Sequence, residues 1–153
     1  MNDWEVAQWL IVPPFPYTES DFSRFAELVR LDHLNTYPKQ FALARRGTDQ
    51  VVGCIAITAK AEGVGELGYW IDRSCWGQGL ASEAAPAVVE AAERDPTLRR
   101  LFATTDPVNL ASRLVLERAG FAFKGEYKRD LPTRRGTAIA CLYERIPSAL
   151  ATH

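Results

Sequence analysis

The sequence predicts an α+β fold built on a mixed β-sheet, and three observations carry that expectation. Three β-rich segments, about 40–46, 51–60 and 66–72, follow one another with short turns between them, which predicts an antiparallel meander. A helix-spaced stretch of about 79–94 then leads to another β-rich segment at about 101–105. A strand, a helical crossover of that length and a second strand make a right-handed parallel unit. After a second helix, about 110–119, come two last strands at about 121–129 and 137–145. One parallel pair is therefore expected in the middle of an otherwise antiparallel sheet.

Each element has its own signal. Residues 3–10 can form a short amphipathic helix that offers Trp4, Ala7, Trp9 and Leu10 for packing. Pro13, Pro14 and Pro16 forbid helix and force an extended turn. Thr18 is placed to cap a helix of about 19–31, with Asp21 three residues on and Phe22, Phe25, Ala26 and Val29 on one face. Residues 32–38 read as loop. Phe41 and Leu43 alternate with smaller residues, Val51 to Thr58 is β-rich, and Gly47-Thr48-Asp49-Gln50 supplies the turn between them. Glu62 to Gly65 turns the chain into the strand Glu66-Leu67-Gly68-Tyr69-Trp70-Ile71-Asp72. In the next helix Leu80, Ala84, Val88 and Ala91 recur at helical spacing. Pro86 is expected to kink that helix or mark a local irregularity, and Pro96 to end it. Asp106-Pro107 breaks the following strand, and Asn109 caps the next helix by accepting from the amide of Ser112. Gly120 fits the left-handed position that closes that helix, with Phe121 as its hydrophobic contact. Pro132 and Gly136 lie in the last loop, and the chain is expected to fray from Pro147.

Composition narrows the function classes. With 153 residues, 47% apolar and 24% charged, the chain can bury a substantial core, and its net charge of −1 predicts neither a nucleic-acid nor a membrane-surface partner. The N-terminus carries Asp3 and Glu5 and has no continuous apolar run, and no stretch reaches the length of a membrane span. Cys54, Cys75 and Cys141 form no CxxC pair, and His33 and His153 are the two histidines. No metal site is expected, and a reducing cytoplasm is the expected setting.

The stretch between the third strand and its helix carries the chemistry. Gly77, Gly79 and Ala81 alternate in Gly77-Gln78-Gly79-Leu80-Ala81-Ser82. Residues that small let the backbone approach a ligand closely. The first amides of the helix have no partner within it, and the macrodipole stands behind them. A phosphate or pyrophosphate bound at this join is one reading, and an ordinary glycine turn is the other.

Gly77-Gln78-Gly79-Leu80-Ala81 after a strand resembles the acyl-CoA pyrophosphate loop of the GNAT N-acetyltransferase superfamily. Asn109-Leu110-Ala111-Ser112 leading to Glu117-Arg118-Ala119-Gly120-Phe121 is similar to the helix that follows in that superfamily. Trp70 with Asp72, Trp76-Gly77 and the Asn-x-x-Ser start narrow the likeness to the ribosomal-protein alanine acetyltransferases and their relatives. The resemblance covers roughly residues 39–146, with a looser match in Pro16-Tyr17-Thr18 and its helix.

The resemblance implies transfer of acetyl from acetyl-CoA, as cosubstrate, directly to a primary amine of a protein N-terminus, an amino acid or a small molecule. A non-catalytic acyl-CoA-binding module is the alternative. It implies a GNAT-like sheet whose central parallel strands splay, with pantetheine along the backbone of Tyr69, Trp70 and Ile71. The pyrophosphate would meet the amides of Gly77, Gln78, Gly79, Leu80, Ala81 and Ser82, and Asn109 would contact the cofactor. Many members place a tyrosine proton donor seven residues after the asparagine, where this chain has Leu116. Ser112 is the expected substitute, and Glu66 the expected base, with Glu126 and Asp130 as runners-up. Tyr17, His33 and Tyr37 fall in segments that cover the acceptor side in relatives, and Arg113 and Arg118 could meet the 3′-phosphate. The family's first strand has no counterpart before Trp4, which leaves a sheet edge and makes a homodimer possible. One domain over 1–153 is expected: a helical acceptor-side region at 1–38, a cofactor-binding core at 39–146 and a tail at 147–153.

Overall fold

The computed structural model describes residues 2–32 and 39–147. Two helices, α1 (Trp4–Ala7) and α2 (Glu19–Asp32), precede three strands, β1 (Lys39–Ala44), β2 (Val51–Ala61) and β3 (Val64–Ile71). A single turn of 3₁₀ helix, Arg73–Cys75, leads to α3 (Leu80–Glu93). Then follow β4 (Arg100–Thr105), α4 (Leu110–Arg118), β5 (Ala122–Lys128) and β6 (Ile139–Arg145). Asp32, expected at the start of a loop, ends α2. The rest of that loop, 33–38 with His33 and Tyr37, and the tail from 148 onward lie outside the described residues.

The six strands form one sheet in the order β1-β2-β3-β4-β6-β5. The meander β1–β2–β3 is antiparallel, as are β4–β6 and β6–β5, and β3–β4 is the parallel pair. That is the α+β mixed sheet the sequence predicts, with its parallel pair at the centre. Among the described residues no strand precedes β1, which forms one edge.

The parallel pairing is short. It runs Val64–Arg100, Gly65–Leu101 and Glu66–Phe102 and then stops, although β3 continues to Ile71 and β4 to Thr105. The two strands therefore part at Glu66 and leave a gap at the centre of the sheet.

The main core lies between one face of the sheet and helices α3 and α4. Strand side chains alternate in direction, so Ile55 and Ile57 of β2, Leu67 of β3 and Leu101 and Ala103 of β4 all turn to this face. Ala85, Val89 and Ala92 of α3 and Val115 and Leu116 of α4 close over them. Gly65 sits in that contact, where an added Cβ would come within 2.7 Å of the Ile57 side chain and 2.9 Å of Leu101. Burying a leucine or isoleucine side chain of this kind contributes about 1.5–3 kcal/mol.

The helices can be compared with expectation in detail. α3 runs from Leu80 to Glu93 with Pro86 inside it, because the missing donor affects a single bond, to the carbonyl one turn earlier. α1 spans only Trp4–Ala7, not 3–10. Its end is held from the other end of the chain: Arg134, in the β5–β6 loop, donates to the carbonyls of Ala7 at 3.0 Å, Leu10 at 2.7 Å and Pro13. Arg135 stacks on the Trp9 ring at 4.5 Å and donates to the Gln8 side chain at 3.1 Å. No helix among the described residues is long and apolar enough to cross a membrane.

Candidate active site

The glycine stretch forms an open cradle. Asp72 begins it, its carboxylate accepting from the hydroxyl of Ser74 and from the Ser74 amide at 3.0 Å, and those bonds hold the carboxyl below its usual range. Gly77 and Gly79 have φ of +74° and +76°, a region that disfavours any residue with a Cβ, and nothing lies within 4 Å of where a Cβ would stand. Gly79 is the N-cap of α3 and supplies no side-chain cap. The first amide to find an acceptor is that of Glu83, which donates to the Gly79 carbonyl at 3.0 Å. The amides of the turn before it, Leu80, Ala81 and Ser82, thus remain free for a ligand at the positive end of the helix. The Gln78 side chain does not face a ligand. It accepts from Arg45 at 2.9 Å and donates to the Ser74 carbonyl at 3.3 Å, tying the loop to the β1–β2 turn.

Register decides which backbone groups of β3 face the gap. The Asp72 amide donates to the Val52 carbonyl at 2.7 Å, so the partners Ile71 and Gly53 do not bond each other. Such pairs alternate, and Tyr69–Ile55 is the next one back. The amides and carbonyls of Tyr69 and Ile71 thus point toward β4, whereas those of Trp70 point to β2. The Ile71 carbonyl is already taken by the indole N–H of Trp76 at 2.9 Å. Of the three positions the resemblance names, Tyr69 has the free gap-facing edge.

Tyr69 also acts through its side chain. Its phenol reaches α4, lying 2.8 Å from the Ser112 hydroxyl and donating to the Ser112 carbonyl at 3.2 Å. Burial pushes this phenol up to about 12, against a smaller lowering by the Ser112 hydrogen bond. Ser112 itself is fixed by its amide, which donates to the Asn109 side chain at 3.1 Å. Asn109 is therefore the N-cap of α4. Leu116, one turn beyond Ser112, is 1% exposed and packs in the core.

Glu66 stands where the strands part, opposite Phe102 in the last parallel pair, and forms an ion pair with Lys60 at 2.7 Å. Alternation places its side chain on the sheet face opposite Tyr69. Of the two arginines, Arg118 sits 3.5 Å from the Ser82 hydroxyl at the cradle. Arg113 instead turns to the Tyr143 phenol at 3.0 Å and to the Phe123 ring at 5.7 Å. Glu126 lies beside the Cys141 thiol at 3.8 Å. Cys75 is buried near Arg45, and Tyr17 is half-buried against Asn2. The structure thus brings Tyr69, Ser112 and Asn109 together, with Arg118 at the cradle. The Tyr69 phenol escaped the sequence reading because its partner is 43 residues away, and no local spacing marks it.

The residues present fit an acyl-CoA: free helix-start amides for a pyrophosphate, and an unpaired strand edge for an amide-bearing arm. Comparison with known proteins agrees. The model of the GNAT acetyltransferase domain matches residues 1–122. The ribosomal-protein-serine acetyltransferase of Escherichia coli is 29% identical over 130 residues, 84% of this chain and 72% of that protein. An uncharacterised N-acetyltransferase, p20, of Bacillus licheniformis is 27% identical over 90% of this chain and 78% of its own length. The ribosomal-protein-S5-alanine acetyltransferase of Vibrio fischeri superposes with a TM-score of 0.82 at 20% identity, covering 93% of this chain and 80% of that one. A ribosomal L7/L12 α-N-protein acetyltransferase in complex with coenzyme A gives 0.82 at 23% identity, covering 94% and 81%. With a free amide cradle, a parted parallel pair and a family match over most of its length, the chain belongs to the GNAT acetyltransferases and is an acetyl-CoA-dependent N-acetyltransferase.

Proposed function

We propose that the chain acetylates a primary amine presented from the sheet face opposite α3 and α4, a protein N-terminus first among the candidates. Acetyl-CoA supplies the activated acyl group as its thioester. The observation that carries the reading is the parting of β3 and β4 after Glu66–Phe102, beside the free amides at the start of α3. The amides of Gly77 to Ser82 hold the pyrophosphate, with Arg118 adding positive charge at Ser82. The free edge of Tyr69 pairs with the pantetheine arm as a strand would. Ser112 lies in the first turn of α4, where the helix end favours negative charge, and donates a hydrogen bond to the sulfur. Glu66, at the point of parting, takes the proton of the incoming amine, directly or through one water.

The names of the relatives support the acceptor class: the Escherichia coli protein is a ribosomal-protein-serine acetyltransferase. Segment 1–38 is proposed to wall the acceptor side, supported by the way Arg134 and Arg135 tie the β5–β6 loop to α1. Three cysteines, an odd number, support a reducing cytoplasm. The exposed apolar side chains of α2 support a homodimer. The test is a panel of N-terminal peptides, amino acids and small amines with acetyl-CoA, read as acetylated product by mass spectrometry and as released thiol. Product from at least one class is expected. Acetyl-CoA binding with no product from any class would favour the acyl-CoA-binding module instead.

A further inference from the structure

We propose that Tyr69 is a positioning residue for acetyl transfer, its phenol holding the Ser112 hydroxyl so that the serine's own proton faces the gap between β3 and β4. The inference rests on the role given to Ser112 above. Ser112 is in α4, which follows β4, and Tyr69 is in β3, so their 2.8 Å contact spans the parted strands. A serine has one proton to give. Were it donated to Tyr69, none would remain for a sulfur in the gap.

The chemistry of the pair sets the direction. A phenol is a stronger acid than an alkyl hydroxyl, and the alkyl oxygen is the better acceptor, so the short bond runs from Tyr69 to Ser112. The Ser112 carbonyl, 3.2 Å from the same phenol, can only accept, so the phenol's one proton is shared between that carbonyl and the nearer hydroxyl oxygen. Accepting from Tyr69 polarises the serine O–H and makes it a better donor in turn. Burial holds the phenol near 12, so it stays protonated wherever the enzyme works. The pair is then a fixed donor chain, with no proton leaving Tyr69. Tyr69→Phe keeps the ring and removes only the oxygen that holds Ser112.

The experiment follows the thiol of bound CoA, by its thiolate ultraviolet absorbance against pH, in the wild type, Tyr69→Phe, Ser112→Ala and the double variant. A donor aimed at sulfur stabilises the thiolate, so CoA bound to the wild type should ionise at lower pH than free CoA. Tyr69→Phe should lose most of that shift, about tenfold in the thiolate-to-thiol ratio, and the double variant should lose no more than Ser112→Ala. In turnover, Tyr69→Phe should lower kcat about tenfold with the KM for acetyl-CoA within about twofold. A purely structural tyrosine would lower CoA affinity or melting temperature and leave the thiol's ionisation where the wild type has it. Tyr69→Phe with a wild-type thiol titration overturns the proposal, as does wild-type enzyme whose bound CoA ionises like free CoA. A wild type that shifts the thiol but acetylates no amine leaves Tyr69 in its role and removes the transferase reading instead.

Discussion

Replacing Ser112 by alanine removes one hydroxyl from the first turn of α4 and opens no core cavity, because the residue is only half-buried. If that hydroxyl stabilises charge on sulfur, kcat falls at least about tenfold while the KM for acetyl-CoA holds. Steady-state kinetics on any accepted amine checks this, and a wild-type kcat contradicts it. Glu66→Gln should lower kcat at least about tenfold, since the amide cannot take the amine's proton, and a wild-type kcat contradicts the base. Tyr69 makes a second claim, about stability. Its folded-state value of about 12 lies above the ordinary 10.0, so the folded chain holds that proton more tightly than the unfolded one. Its contribution is complete below about pH 10 and is lost as the pH rises toward about 12. Across that window, denaturant unfolding should show the wild type losing roughly 2 kcal/mol more than Tyr69→Phe. Equal losses would contradict the buried phenol.

The start of α4 ties an element to the site, because Asn109 caps the helix that carries Ser112. Asn109→Ala should cost about 1 kcal/mol, seen as a lower melting temperature, and Asn109→Ser should keep the cap. If the amide also contacts the cofactor, both variants bind acetyl-CoA more weakly, and a serine variant with full affinity limits Asn109 to capping. The elements from β1 to α4 were legible because periodicity and punctuation agree there: Gly47 to Gln50 for the β1–β2 turn, Asn109 and Gly120 for the two ends of α4. The length of α1 was not legible. The carbonyls beyond Ala7 find their donor in Arg134, more than 120 residues away, and no local pattern carries that. At the site, the loop and its cap could be read from glycine spacing and the Asn-x-x-Ser start. The inward turn of Arg113 and the capture of the Ile71 carbonyl by Trp76 depend on packing between distant segments. The core position of Leu116 is of the same kind.

At the scale of the molecule, charge and apolar surface point different ways. The net charge of −1 gives little long-range steering, so a charged acceptor would have to be recognised by local groups. On α2, Phe22 is 60% exposed and Leu28 55%. Exposed aromatic and leucine side chains on one helix favour association. Light scattering at micromolar concentration should give about twice the 17.1 kDa chain mass, and the chain mass itself would contradict a dimer. The central claim is that the parted strands and the amide cradle together hold acetyl-CoA. Calorimetric titration of acetyl-CoA into wild-type and Gly79→Asp protein tests it most directly. The substitution puts a carboxylate where the cradle has open space and free amides, at a φ of +76° that aspartate adopts more readily than most residues with a Cβ. Wild-type binding with at least about a hundredfold weaker binding by a folded Gly79→Asp variant, roughly 2.7 kcal/mol, is the predicted result. Equal affinity in the two proteins would place the cofactor somewhere else.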